Sequence, residues 1–227
     1  VEIFFILSAL SKEKIPLQTI APKFTGEFHK GVDYIGDVAK FQKEFESNLA
    51  VIRFAIEEFG LQHDLKLSVH SGSDKFDIYP VINKSIKKFD AGLHLKTAGT
   101  TWLEEIIGLA ESGRDGLQLV KEIYAQAFKR MKELCKPYLT VVQIDTEKLP
   151  FPESVKKWDG LTFASTLRHD IASPQYNTSF RQLMHIGYKI AAEMGERYMI
   201  ALSNNEGVIA KNVTENLFAK HIKPLFF

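Results

Sequence analysis

Leu65-Lys66-Leu67-Ser68-Val69 runs straight into His70-Ser71-Gly72-Ser73-Asp74-Lys75, and this junction decides the fold. A short apolar run stops in reactive and turn-forming groups, and a helical pattern follows. The same succession recurs where Gly92-Leu93-His94-Leu95 meets Lys96-Thr97-Ala98-Gly99-Thr100. Parallel α/β sheets and barrels present active sites in this way, at the carboxyl ends of their strands. Two such endings in one chain point to one shared site.

Upstream, Leu17 to Ile20, continuing to Phe24, reads as a first strand, and Thr25 to Asp33 as the loop after it. Val38, Phe41, Phe45, Leu49, Ile52, Ile56 and Phe59 then recur at helical spacing, with Asp37 placed to cap the start and Gly60 to end the helix. Downstream, a helical or irregular piece covers about Asp77 to Lys88. Two helical stretches follow, Trp102 to Glu111 and Leu117 to Leu134, broken at Ser112 to Gly116. Tyr138 to Ile144, rich in β-branched residues, reads as a fourth strand. Strands alternating with helices predict parallel β-α units with right-handed crossovers. The rest reads as a loop at Arg168 to Thr178, a helix carrying Phe180 to Tyr198 and a last helix before Lys223. The expectation is an α/β fold in which residues 1–150 supply about four β-α units of a (β/α)8 TIM-type barrel. Residues 151–227 would be a helical extension packing on it.

A chain of 227 residues with 45% hydrophobic content can bury a substantial core. Its 29 basic and 28 acidic residues leave a formal charge of +1, which supplies no field for a phosphate backbone. Nucleic acid is therefore not expected as a partner. Cys135 is the single cysteine, which fits a reducing, cytoplasmic compartment. The run Ile3 to Leu10 is too short to span a bilayer, so no membrane is expected. The absence of a Gly-x-Gly-x-x-Gly or Walker-type loop leaves dinucleotides and ATP without a signal. The chain starts at Val1 inside what reads as an apolar helix, which suggests a piece of something longer. A missing amino-terminal half or a homo-oligomer both remain open.

Several blocks together resemble the tagaturonate epimerase family. They are Lys23-Phe24-Thr25-Gly26, Lys30-Gly31-Val32-Asp33-Tyr34-Ile35-Gly36-Asp37, Ser68 to Phe76 and His94 to Thr100. Arg168-His169-Asp170, Phe180-Arg181-Gln182-Leu183, Ala191 to Gly195 and His221 to Leu225 extend the match. The resemblance implies an isomerase that interconverts D-tagaturonate and D-fructuronate, with a divalent metal (Zn, Mn, Ni or Co) and a barrel-type fold. It corresponds to the carboxyl-terminal half of family members. The two sugars differ at the fourth carbon while the ketone sits at the second, so simple proton removal at the inverted centre would give an unstabilised carbanion. Cleavage between the third and fourth carbons would instead leave an enediolate that a Lewis acid can stabilise, and the aldehyde fragment would turn and re-add on its other face.

That chemistry needs a metal, a base and a carboxylate clamp. His70 and His94, at or near strand ends, are the metal-ligand candidates, or else hydrogen-bonded histidines only. An oxygen ligand would come from Glu27 or Asp33 in the first loop. Glu27 is taken as the ligand and Asp33 as a catalytic carboxylate, and both are equally plain loop carboxylates. Lys96 shares a strand face with His94 and would hold the sugar carboxylate or polarise a hydroxyl; its bland alternative is a solvated head. Asp74 is the general-base candidate. Ser71, Ser73 and Lys75 would bind substrate, or simply form a turn. Thr97 and Thr100 would bind an anion at a helix start or only cap it. Arg168 and His169 would fold over the site and meet the carboxylate, or dock the extension. His185 and His221 read as structural, His29 and His63 as exposed. An aldose-ketose isomerase on the same barrel, and a non-catalytic half-barrel that binds a sugar acid, are the rival functions.

Overall fold

The computed structural model describes residues 2–69 and 73–227; His70, Ser71 and Gly72 lie outside it. Among the described residues three strands form one parallel sheet in the order β1 (Thr19–Ile20), β2 (Lys66–Val69), β3 (Leu93–Leu95). Thr19 pairs with Lys66, and Leu67, Ser68 and Val69 pair with Leu93, His94 and Leu95. The first strand is shorter than expected, because Pro16 and Pro22 flank it and neither can donate to a ladder.

Helix α1 (Glu2–Lys12) precedes β1, and α2 (Val38–Phe59) links β1 to β2. Its ends follow from single residues. The Asp37 side chain accepts from the amides of Ala39 and Lys40, and Gly60 closes the helix in the left-handed region at φ 61°. Phe41, Phe45, Leu49 and Ile52 form its buried face, each such side chain contributing about 1.5–3 kcal/mol on leaving water. Asp37→Ala is expected to cost about 1 kcal/mol. In urea the midpoint should fall with no change of slope; a changed slope would mean the substitution altered more than the cap.

After β2, a turn of 3-10 helix at Phe76–Ile78 leads into α3 (Tyr79–Phe89), and α4 (Ala98–Glu111) begins three residues past β3. From there the chain is helical: α5 (Arg114–Lys129), α6 (Met131–Cys135), α7 (Pro152–Val155) and α8 (Gly160–Leu167), then α9 (Thr178–Ile186), α10 (Tyr188–Met194), α11 (Glu196–Asn204) and α12 (Glu206–Thr214). A π-helical run at Glu215–Ile222 and a last turn, α13 (Lys223–Phe226), end it.

Two expectations fail here. Tyr138 to Ile144 is no strand. A 3-10 turn at Lys136–Tyr138 precedes it, and its backbone is claimed elsewhere. Lys30 N–H donates to Val141 O (2.7 Å), and Gln143 N–H donates to the Gln182 side chain (2.8 Å). Val142 and Ile144 pack against the helical core instead of a sheet. The single helix expected over Phe180 to Tyr198 is three, broken at Gly187 and at Gly195, whose φ is 55°.

Apolar side chains collect in two clusters. One joins α1, α2, α3 and the sheet, and takes in Leu225 from the far end of the chain. The other runs from Trp102 to Tyr198 through α4, α5, α8 and α9. Gly108 allows α4 and α12 to touch closely, since a Cβ there would lie 2.8 Å from Ile209 Cα. No helix among the described residues is long and apolar enough to cross a membrane.

Candidate active site

The loops that follow the three strands meet on a buried ionic centre at Asp74. Its carboxylate takes Thr100 Oγ1 at 2.6 Å on Oδ1, and Arg181 Nη2 at 2.8 Å and His169 Nδ1 at 3.1 Å on Oδ2. His221 Nε2 stands 3.4 Å from Oδ1. All five side chains are buried. Burial alone would raise the Asp74 pKa, but the Arg181 guanidinium and the His169 and His221 contacts hold it well below the ordinary carboxylate range. An ionised carboxylate only accepts, so His169 carries its proton on Nδ1. Its ring lies between Phe76 and Tyr176, stacked on both, with Nε2 directed 3.9 Å from Asp33 Oδ2.

Arg181 reaches this centre from α9. Its Nε donates to Gly31 O (2.6 Å) and its Nη1 to Leu167 O (2.7 Å). Gly31 fits the α9 backbone at φ 75°, where a Cβ would lie 3.3 Å from Arg181 O. Gly31 N–H donates to Ser73 Oγ (2.9 Å), and Lys75 Nζ donates to Val32 O (2.6 Å), His29 O and Ser73 Oγ (both 3.1 Å) and Asp74 O (3.2 Å). Burial lowers the Lys75 pKa to about 8, against the opposing pull of Asp74 and Asp33. The loops after β1 and β2 are thus locked together from beneath.

A cleft of ≈ 630 Å³ is lined among others by Lys30 from the loop after β1 and by Gly99, Tyr138, His185 and Tyr188. Lys30 Nζ lies 4.7 Å from the centre of the Tyr138 ring, a cation–π contact. Its pKa is lowered, first by burial and then by the positive charge of Lys96. Lys30, in the loop after β1, lines the cleft, and Lys96 is exposed one residue past β3.

The expected site residues divide accordingly. His70 and Ser71 lie outside the described residues. His94 and Lys96 are exposed at the end of β3, and Ser68 Oγ engages His94 Nδ1 at 2.6 Å. Glu27 is exposed and sits 3.3 Å from His29, which is half-buried and not exposed as expected. Asp33 accepts from the amides of Tyr34 and Asp77; burial raises its pKa. Thr97 is the residue before α4 and makes no side-chain cap bond. Ser73, Asp74, Lys75, Thr100 and His169 are buried, with the internal bonds given above. Arg168 turns away from the cleft to Glu111 (2.5 Å) and Asn212 (3.0 Å). Among the described residues no three His, Cys, Asp or Glu side chains are grouped to hold a metal ion. His94 and Glu27 do not fit a complete metal site without further donors, and His70 lies outside the described residues.

Arg181, Lys30 and Glu104 escaped sequence reasoning as site residues. Arg181 had a signal: a charge among Phe180, Leu183 and Met184 on a helix must find a buried partner. Glu104 is buried on α4, accepts from Asn216 Nδ2 (3.0 Å) on Oε1, and has no hydrogen-bond partner on Oε2. Burial raises its pKa to about 7, although Arg181 and Arg168 oppose the shift.

A family model described as tagaturonate epimerase matches residues 1–225. A tagaturonate/fructuronate epimerase from Thermotoga maritima is 32% identical over 225 residues, which cover 96% of this chain and 40% of that protein. The native crystal structure of fructuronate-tagaturonate epimerase UxaE from Cohnella laeviribosi superposes with a TM-score of 0.72 at 27% identity, over 98% of this chain and 41% of the other. A glycerol complex of the same enzyme gives the same TM-score at 25% identity. The chain thus spans about two fifths of the length of these relatives.

Proposed function

Because the chain belongs to the tagaturonate epimerase family, we propose that it acts on a ketohexuronate, interconverting D-tagaturonate and D-fructuronate by inversion at the fourth carbon. The observation in the structure that carries this reading is Lys30, a half-buried ammonium group lining the cleft of a fold that superposes on fructuronate-tagaturonate epimerase over 98% of the chain. Burial disfavours the charged form of Lys30, and a carboxylate beside it offsets that cost. A sugar acid supplies one.

The inversion proceeds by cleavage and re-addition. The proton leaves the hydroxyl on the fourth carbon as the bond to the third carbon breaks. Its electron pair is delocalised through the third and second carbons onto the ketone oxygen, and the fourth carbon becomes an aldehyde. Rotation of that aldehyde and return of the electron pair to its other face restore the bond with inverted configuration. Atoms and electrons balance without a redox partner. Lys30 and Lys96 hold the carboxylate, and His94, oriented by Ser68, stands beside Lys96 to exchange the hydroxyl proton. Asp74, held ionised by its partners, orients His169 and Thr100. A divalent ion belongs to the same proposal, with His70 and Glu27 as donors that other groups would have to complete. The strands then form part of a (β/α)8 wall, residues 1–150 contributing β-α units and residues 151–227 the helical extension, in a cytoplasmic enzyme.

Incubation with D-tagaturonate followed by carbon NMR is expected to show D-fructuronate, inverted at the fourth carbon only; an aldose product would assign an isomerase instead. Lys96→Met should raise KM about tenfold or more while leaving the fold unchanged, because an exposed charge is lost and no packing. An unchanged KM would remove Lys96 from the carboxylate clamp.

A further inference from the structure

We propose that Arg181 is a positioning residue for this reaction: from α9 its guanidinium sets the spacing of the Lys30 and Lys96 loops without touching substrate. The inference rests on the epimerase reading for its kinetic consequence only. Lys30 precedes Gly31, whose carbonyl accepts from Arg181 Nε and whose amide is held by Ser73. Lys96 lies four residues before Thr100, whose hydroxyl is bonded to Asp74. Asp74 in turn is bonded to Arg181 Nη2. One planar group therefore fixes the loop after β1 directly and the start of α4 through Asp74, while Nη1 anchors the end of α8 at Leu167 O. Three donors in a rigid fork serve three different segments, a task that lysine, with a single ammonium on a flexible stem, cannot share out in the same geometry.

The bond directions exclude a direct catalytic role. Arg181 is fully buried, and Nε, Nη1 and Nη2 are each committed to a protein oxygen. What it controls is the register of the elements carrying Lys30 and Lys96, and displacements of about 1 Å in such supports cost on the order of a hundredfold in rate.

Arg181→Lys and Arg181→Ala separate positioning from bulk stability. Arg181→Lys is expected to remain folded by near-ultraviolet circular dichroism and to lose about a hundredfold in kcat/KM. Free guanidinium ion at millimolar concentration should restore at least about tenfold in Arg181→Ala. Amide hydrogen exchange should rise together in residues 27–34, 73–76 and 97–101 of both variants, while α2 stays protected. Parental kcat/KM in Arg181→Lys, or faster exchange confined to α9, would overturn the inference. If the parent protein does not epimerise ketohexuronate the functional reading fails, and the exchange pattern alone then decides whether Arg181 sets the loops.

Discussion

Asp74→Ala is expected to destabilise the protein by about 3–5 kcal/mol, the cost of leaving one partner of a buried ion pair uncompensated. Arg181 would remain fully buried at 0% exposure with no counter-charge, and His169, His221 and Thr100 would each lose a polar partner. The double variant Asp74→Asn/Arg181→Met removes both charges and should recover much of the loss, because neither member is then stranded. Urea unfolding of the parent, Asp74→Asn, Arg181→Met and the double variant measures the coupling directly. Additive losses would mean that the two groups do not act as a pair. The pH dependence has a definite sign. Asp74 has a folded pKa below its ordinary value of 3.8, so its stabilisation is present above that value and lost as pH falls through the folded one. The parent should therefore lose stability on the acid side more steeply than Asp74→Asn.

Glu104 behaves in the opposite sense. Its carboxyl is raised from 4.5 to about 7, first by burial, and Oε2 has no hydrogen-bond partner. The protonated form is the one that the folded protein accommodates. Its contribution is fully present below 4.5 and is lost as pH rises through about 7. A shift of that size corresponds to about 3 kcal/mol, so ionisation at alkaline pH is a substantial cost. Glu104→Gln stays neutral throughout and keeps an acceptor for Asn216. Its stability relative to the parent should improve between pH 5 and pH 8 by up to about 3 kcal/mol. Parallel pH profiles for the two proteins would show that Glu104 does not titrate in this range.

Helix α2 was legible to the residue at its start, because the Asp37 cap, the apolar periodicity and Gly60 are local chemistry. β2 and β3 were legible for the same reason, as apolar runs bounded by turn residues. The strand expected at Tyr138 to Ile144 was misread because β-branched residues favour any extended, half-buried setting, and what occupies the neighbouring backbone groups, here Lys30 and Gln182, is distant in sequence. Arg168 illustrates the same limit for function: its motif was visible, but its partners Glu111 and Asn212 are 57 and 44 residues away.

The sequence by itself determined the helix ends, the two strand endings rich in polar groups and the family, since each is written in contiguous residues. Only the tertiary structure decided that Asp74, Lys75 and Thr100 are spent on internal bonds while Lys30 lines the cleft. Burial and partner choice depend on residues up to 150 positions apart, as Arg181 and Gly31 are, and a side chain's protonation and reach follow from those partners and from its exclusion from water.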